Sequence, residues 1–268
     1  VKKYIKYIFV LALCIGGFAF VTTGGKTMYV IKQKLNQFTC DNICNTYLVN
    51  GEEVSKYNSS GKLFLKYSNK RFGNITTIDA TNALKVLLYY KDFQQLVFLD
   101  SQLSQNGDPI SLESLGYEQT DLVCSSFNNS FWIYNKQANE LVRFDENSQQ
   151  IAKTGNLKQL LQAELKPDFM IEHSSYLYLN CPDIGIYVFD MYGTFTKIIG
   201  LKNLHAFQVN GEIIYFFRGN SFCSYSTKAF EEKSIPYADT LIKNVRIEKD
   251  RLFLQYSDSL KVIENAAK

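Results

Sequence analysis

A paired-strand unit recurs along this chain, and no other feature restricts its fold as strongly. Each copy opens with a run of apolar and aromatic residues, passes through a short polar turn and returns in a second run. That second run usually ends on an aromatic or apolar residue followed by a polar one. Three copies are clear: 131–134 with 141–145, 176–179 with 186–190, and 86–90 with 96–100. Three are fainter: 47–49 with 54–57, 213–217 with 222–225, and 252–256 with 260–263. The last apolar residues of the second runs are Tyr57, Leu99, Phe144, Phe189, Tyr225 and Ile263, at intervals of 42, 45, 45, 36 and 38 residues.

Internal repeats of about 40–50 residues with four strands apiece are the period of β-propeller blades. The two further strands each unit needs are present. One precedes the pair, as at 121–125, 168–172, 206–209 and 244–248, and one follows it, as at 63–67, 150–153, 195–199 and 232–235. Asn50-Gly51 and Asn210-Gly211 sit beside apolar strands and favour tight type I′ hairpins, whose two central residues both need positive φ. The last unit stops at Ile263 without an outer strand, and the loosely alternating stretch 28–35 supplies one from the other end of the chain. Such closure leaves no open sheet edge. The expected fold is therefore all-β: one propeller domain over 26–268, of about six four-stranded antiparallel blades. A single insertion breaks the pattern. Leu157, Leu160, Leu161 and Leu165 stand at helical spacing behind Asn156 as N-cap, which predicts one short helix packed on the ring.

Composition agrees and adds a compartment. Aromatic residues make up 15% of the chain, a bias that suits pleated, half-buried surfaces. The net charge of +3 belongs to Lys2, Lys3 and Lys6, so the body is neutral and lacks the basic stripe of a nucleic-acid binder. Those lysines precede an uncharged apolar run at 8–21 and small residues at 22–25, the layout of a secretory signal peptide. The run is short for a membrane-spanning helix, yet no clean small-x-small triplet ends it, so 1–25 reads as a signal peptide or a retained N-terminal anchor. Either places the protein in the periplasm or on the membrane of a bacterial cell envelope. Cys14 lies inside the apolar run, without the small residue before it that a lipidated cysteine needs. Five cysteines remain, an odd number. Cys40 and Cys44 can bridge only if the segment between them turns.

Catalytic signatures are absent: there is no nucleophile elbow, Walker loop, metal-binding histidine pair or Cys-x-x-Cys. No cofactor is expected. Neither His173 nor His205 has a triad context, and each reads as a surface or inter-blade hydrogen-bonding residue. Asp100, Asp145 and Asp190 recur at matching strand ends. Such acids either open turns by binding their own backbone or converge to hold a cation. The stretch 75–100 carries a polar cluster of Asp79, Thr81 and Asn82, then a Lys91-Asp92-Phe93 turn and a Leu99-Asp100 strand end. In these motifs it resembles uncharacterised exported propeller-like proteins of the Bacteroidota. That resemblance implies compartment and fold and transfers no catalytic residue. Asp79, Thr81 and Asn82 are the candidate ligand-binding residues, with turn stabilisation as their alternative role. The function expected is a binding or scaffold module that contacts other cell-envelope proteins. The alternative is a metal-dependent hydrolase or small-ligand binder that uses the central channel.

Overall fold

The computed structural model describes residues 25–265. Residues 1–24, which hold the basic and apolar segment and Cys14, lie outside them. The described chain forms six four-stranded antiparallel sheets arranged as the blades of a propeller. β1 (Thr27–Lys32) comes first in the chain but belongs to the last blade. Blade 1 is β2 (Gln37–Cys40), β3 (Thr46–Asn50), β4 (Glu53–Tyr57) and β5 (Leu63–Ser68). Blade 2 is β6 (Thr77–Asp79), β7 (Val86–Tyr90), β8 (Gln95–Leu99) and β9 (Ile110–Ser111). Blade 3 is β10 (Thr120–Ser125), β11 (Phe131–Asn135), β12 (Glu140–Phe144) and β13 (Gln150–Lys153). The helix α1 (Leu157–Leu161) then leads into blade 4: β14 (Phe169–His173), β15 (Tyr176–Cys181), β16 (Gly185–Asp190) and β17 (Phe195–Ile199). Blade 5 is β18 (Phe207–Asn210), β19 (Ile213–Arg218), β20 (Ser221–Ser226) and β21 (Glu231–Pro236). Blade 6 is β22 (Asn244–Glu248), β23 (Arg251–Gln255) and β24 (Ser259–Glu264), completed by β1.

The six marker residues all fall on third strands, and the stretch expected to close the ring does so. β1 pairs antiparallel with β24, Ile31 opposite Leu260. The core explains why middle strands read so loudly in sequence. Buried side chains form six clusters, one at each seam between neighbouring blades. Each middle strand is sandwiched on both faces, so β7, β11 and β12 are buried at every position. Phe131 stacks on Phe144 at 5.2 Å within the seam between blades 2 and 3. The seam that closes the ring has its own core, with Ile31, Phe253 and Val262 of blade 6 against Phe38 and Leu48 of blade 1.

The predicted helix is present. The Asn156 side chain accepts from Gln159 N at 3.1 Å, and Leu157 and Leu165 are buried in the core between blades 3 and 4. Leu160 alone of its leucines points outward. The two Asn-Gly hairpins differ in detail from expectation. Asn50 pairs with Glu53 and Asn210 with Ile213, so the central residues are Gly51-Glu52 and Gly211-Glu212. Only the glycines take positive φ (62° and 56°), which is the II′ pattern with Gly at the first central position rather than I′.

Alternating strand direction divides the turns between two ends of the ring. Turns joining first to second and third to fourth strands open on one end, where β1 begins and β24 ends; we call this the closure face. Turns joining second to third strands, and the connections from blade to blade, open on the other, the crossover face. Among the described residues no helix is long and apolar enough to cross a membrane.

Candidate functional site

The inner strands β2, β6, β10, β14, β18 and β22 surround a central channel with a cavity of about 270 Å³. Its lining is mixed. Phe38, Ile78, Phe169 and Phe207 give apolar surface, and Asp79, Asp168 and Arg246 give charge. Most of the lining comes from the starts of inner strands, so the cavity lies mainly toward the crossover end.

Asp79 ends β6, and both its oxygens are engaged. Oδ1 accepts from Thr81 N at 2.9 Å and Oδ2 from Ser125 N of β10 at 2.8 Å. It thus closes its own turn and ties blade 2 to blade 3. Thr81 borders the channel beside it. Asn82 turns away into the same loop, where Oδ1 accepts from Leu84 N at 3.0 Å. Sequence adjacency therefore brings two of the three candidates to the channel and leaves the third on the closure face.

Asp168 stands before β14. Its Oδ2 lies 2.7 Å from His205 Nδ1, and its Oδ1 accepts from Asn180 Nδ2 at 2.6 Å. The two residues link blades 4 and 5 on the crossover face. His173 links the same blades on the closure face, where Gly211 N donates to Nε2 at 3.2 Å. Burial lowers its pKa. Both histidines thus occupy the inter-blade role expected of them. Arg246 of β22 reaches the channel wall, and its buried Nε has no hydrogen-bond partner.

The recurring acids are turn residues. Asp100 Oδ1 accepts from Gln102 N and Ser104 N, Asp145 Oδ1 from Asn147 N and Gln149 N, and Asp190 Oδ1 from Tyr192 N and Thr194 N. The distances are 2.8–2.9 Å throughout. Asn58 and Asp41 do the same, and in each copy the third residue after the Asx takes positive φ (Gly61, Cys44, Leu103, Ser148, Gly193). These acids stand on the closure face at third-to-fourth or first-to-second turns, not around the axis. Among the described residues no three His, Cys, Asp or Glu side chains gather within reach of one ion.

Sequence reasoning missed the charged seams. Lys56 of β4 is buried and donates to the Ser101 carbonyl (2.6 Å), the residue after Asp100 in the next blade's turn. Arg143 of β12 reaches the Met191 carbonyl (3.3 Å), just after Asp190. Arg251 of β23 reaches the Ser59 carbonyl, just after Asn58. In each case the cation binds the carbonyl that follows the turn-opening Asx of the neighbouring blade. Burial lowers the Lys56 pKa, partly opposed by Asp41 and Asp100. Arg143 Nε also donates to Ser126 Oγ (2.8 Å), which donates to Glu172; Glu172 accepts further from Phe127 N (2.9 Å) and Trp132 Nε1 (2.6 Å). Lys56 and Arg143 stand two residues before the Asx of their own blades. That spacing is the one sequence signal that could have singled them out.

All five described cysteines are free and buried. The segment from Cys40 to Cys44 does turn, with Cys44 N donating to the Asp41 carbonyl, yet the thiols stay apart in the seam core. Burial pushes Cys40 and Cys181 up to about 12.

No protein-family model matches the chain, and no curated protein matches it. Solved structures do match in fold. The WD40 domain of Neurospora crassa Pan2 aligns with a TM-score of 0.62 over 92% of this chain and 97% of that one, at 9% identity. A chain of a mitotic checkpoint complex aligns at 0.66 over 98% and 99%, also at 9% identity. Virginiamycin B lyase from Staphylococcus aureus aligns at 0.58 over 85% and 79%, at 11% identity. These likenesses show the fold alone: a β-propeller matching WD40 and lyase propellers, here with six four-stranded blades.

Proposed function

We propose that this chain is an exported binding scaffold of the bacterial cell envelope, akin to the propeller-like proteins of Bacteroidota that 75–100 resembles. Its task on this reading is to hold other envelope proteins on a rigid ring. One observation carries the reading: the conspicuous charged groups are built into the frame. Asp79, Asp100, Asp145 and Asp190 close turns, and Lys56, Arg143, Arg251 and Glu172 bolt blade to blade. Such a frame spends its polar chemistry on rigidity, which suits a surface for partners. The propeller chain of the mitotic checkpoint complex, alike over nearly its full length, belongs to a multiprotein assembly. The test is affinity capture with the full chain from solubilised envelopes. A partner recovered at constant ratio supports the reading, and capture of nothing specific contradicts it.

A second reading places a small ligand in the channel, where Asp79 and Thr81 border one side and Arg246 has an unpartnered Nε. The volume of about 270 Å³ lies just under the range of ordinary ligand pockets, about 300–1,000 Å³. A metal-dependent form of it predicts a thermal shift on adding Ca²⁺. An unchanged melting temperature removes that form.

A further inference from the structure

The closure face carries the point where the rest of the chain attaches. β24 runs toward this face and β1 starts from it, with Thr27 opposite Ile263. Glu264 N donates to the Lys26 carbonyl at 2.9 Å, and Asn265 N to the Asp250 carbonyl at 2.7 Å. Asp250 lies in the first turn of blade 6, on the closure face. Residues 1–24 therefore join the ring at the rim of this face. In sequence they include the apolar run 8–21, and only Thr22, Thr23 and Gly24 separate it from Gly25. Four residue steps reach at most about 14 Å. With the run in a bilayer, Gly25 stays within reach of the headgroup layer, itself about 5–7 Å thick per leaflet.

The same face presents apolar side chains to solvent. Ile43, Leu84, Phe127, Tyr176, Tyr192 and Phe230 all stand at its turns, contributed by five blades, and Leu84, Tyr192 and Phe230 are 72%, 68% and 76% exposed. Blade 6 contributes none of these and instead receives the N-terminal segment. Among the described residues, the turns and connections of the crossover face present only Phe93, Leu160 and Leu241 of this kind. Tips distributed around a ring line no single groove that a peptide would fill. They lie where a plane would meet them, and aromatic side chains favour the headgroup level of a lipid layer.

We propose that the closure face rests on a lipid surface. The six apolar tips enter the headgroup layer around the channel mouth, on the face where residues 1–24 join the ring. The crossover face, toward which most of the channel lining lies, is turned to the aqueous side. The proposal stands independently of which protein the ring holds.

The test uses the full chain carrying Cys14→Ser, reconstituted with vesicles of phosphatidylcholine and a minority of phosphatidylglycerol. The native thiols of the ring are buried and poorly ionised, so an introduced surface cysteine takes an environment-sensitive dye selectively. Dyes at Leu84→Cys, Tyr192→Cys and Phe230→Cys report on the closure face, and dyes at Phe93→Cys and Leu241→Cys on the crossover face. The expected result is loss of fluorescence at the first three, and not at the other two, when nitroxide-labelled lipid is included. Equal quenching on both faces, or none on either, overturns the proposal. So does quenching at a dye on Lys26→Cys with none at the three tips. A blue shift at the tips without lipid, accompanied by a larger particle, would assign the face to a second copy or a protein partner and equally overturn it. Replacing Phe127, Tyr192 and Phe230 by Asp should reduce quenching at Leu84→Cys; these tips are exposed, so the ring stays folded.

Discussion

On the closure face the blades are held together by Lys56, Arg143 and Arg251 reaching into neighbouring turns, and by Glu172 gathering three donors. On the crossover face neutral carboxamides hold the seams beside two charged contacts, Lys91–Asp121 and Asp168–His205, both 2.7 Å. Gln37 donates to the Ile75 and Thr76 carbonyls and Gln94 brackets Thr120, while midway along the inner strands Gln208 exchanges two bonds with Ile247. The difference follows from what each end must satisfy. The turns opened by Asn58, Asp100 and Asp190 each direct a carbonyl sideways, and a cation from the preceding blade meets it. The inner strands begin on the crossover face with unpaired backbone edges, and a carboxamide can donate and accept at once. One end is thus locked by cations on turn carbonyls and the other by complementary amides with two charged contacts beside them, and the two should fail differently.

The largest effect is expected on the charged side. Glu172→Ala leaves Trp132 Nε1, Phe127 N and Ser126 without their acceptor beside a buried arginine. Breaking such a buried network by removing one partner costs about 3–5 kcal/mol. Glu172→Gln keeps an acceptor and should recover much of the loss in denaturant titrations. If alanine and glutamine are equally mild, the charged seams are not what locks this end.

The neutral side should yield less. Gln208→Ala removes both bonds to Ile247 and strands a backbone N–H and C=O in the seam between blades 5 and 6. Unsatisfied groups of this kind cost about 1–3 kcal/mol. A loss as large as that of Glu172→Ala would erase the distinction between the faces.

Smaller still is the turn itself. Asp190→Ala loses two hydrogen bonds to its own backbone, about 1 kcal/mol in an exposed turn. Asp100→Ala and Asp145→Ala should behave alike, because their geometry is the same. A variant that also abolished binding of a cation would return these acids to a ligand role.

The smallest effect is a pH dependence on the closure face. His173 accepts from Gly211 N through Nε2, so the folded state favours the neutral ring, and burial lowers the pKa below the ordinary value of 6.5. A depressed histidine pKa means the unfolded chain binds more protons just below 6.5, so stability falls as pH drops through that window. The His173 contribution is fully present above it. The melting-temperature advantage of the native chain over His173→Gln should therefore narrow as pH falls from 7 toward the folded pKa. A constant difference would show that the ring does not titrate.

The sequence made the architecture legible where burial was complete. Strands such as β11 and β12 are packed on both sides, so they read as unbroken apolar runs and fixed the repeat. Outer strands alternate with solvent, as β5 does, and give a weaker pattern. β2 and the two-residue β9 were not anticipated, because a short inner or outer strand leaves too few side chains to set a period. The closing role of 28–35 was legible because the last repeat lacked one strand. The site was less so. Asp79 reads as a polar turn residue, and nothing local says that its second oxygen reaches Ser125, 46 residues on. The cations at Lys56 and Arg143 sit in strand patterns where a charge looks like a solvent-facing position. Only their partners in the next blade explain why they are buried.

The two faces differ in their seams, and they differ in what they offer outward. The most direct measurement is site-specific photocross-linking in intact envelopes, with the photoreactive group at Tyr192 on one face and at Leu241 on the other. The account predicts lipid adducts from Tyr192 and a discrete protein adduct from Leu241. Protein adducts from Tyr192 with lipid adducts from Leu241, or the same products from both, would contradict it.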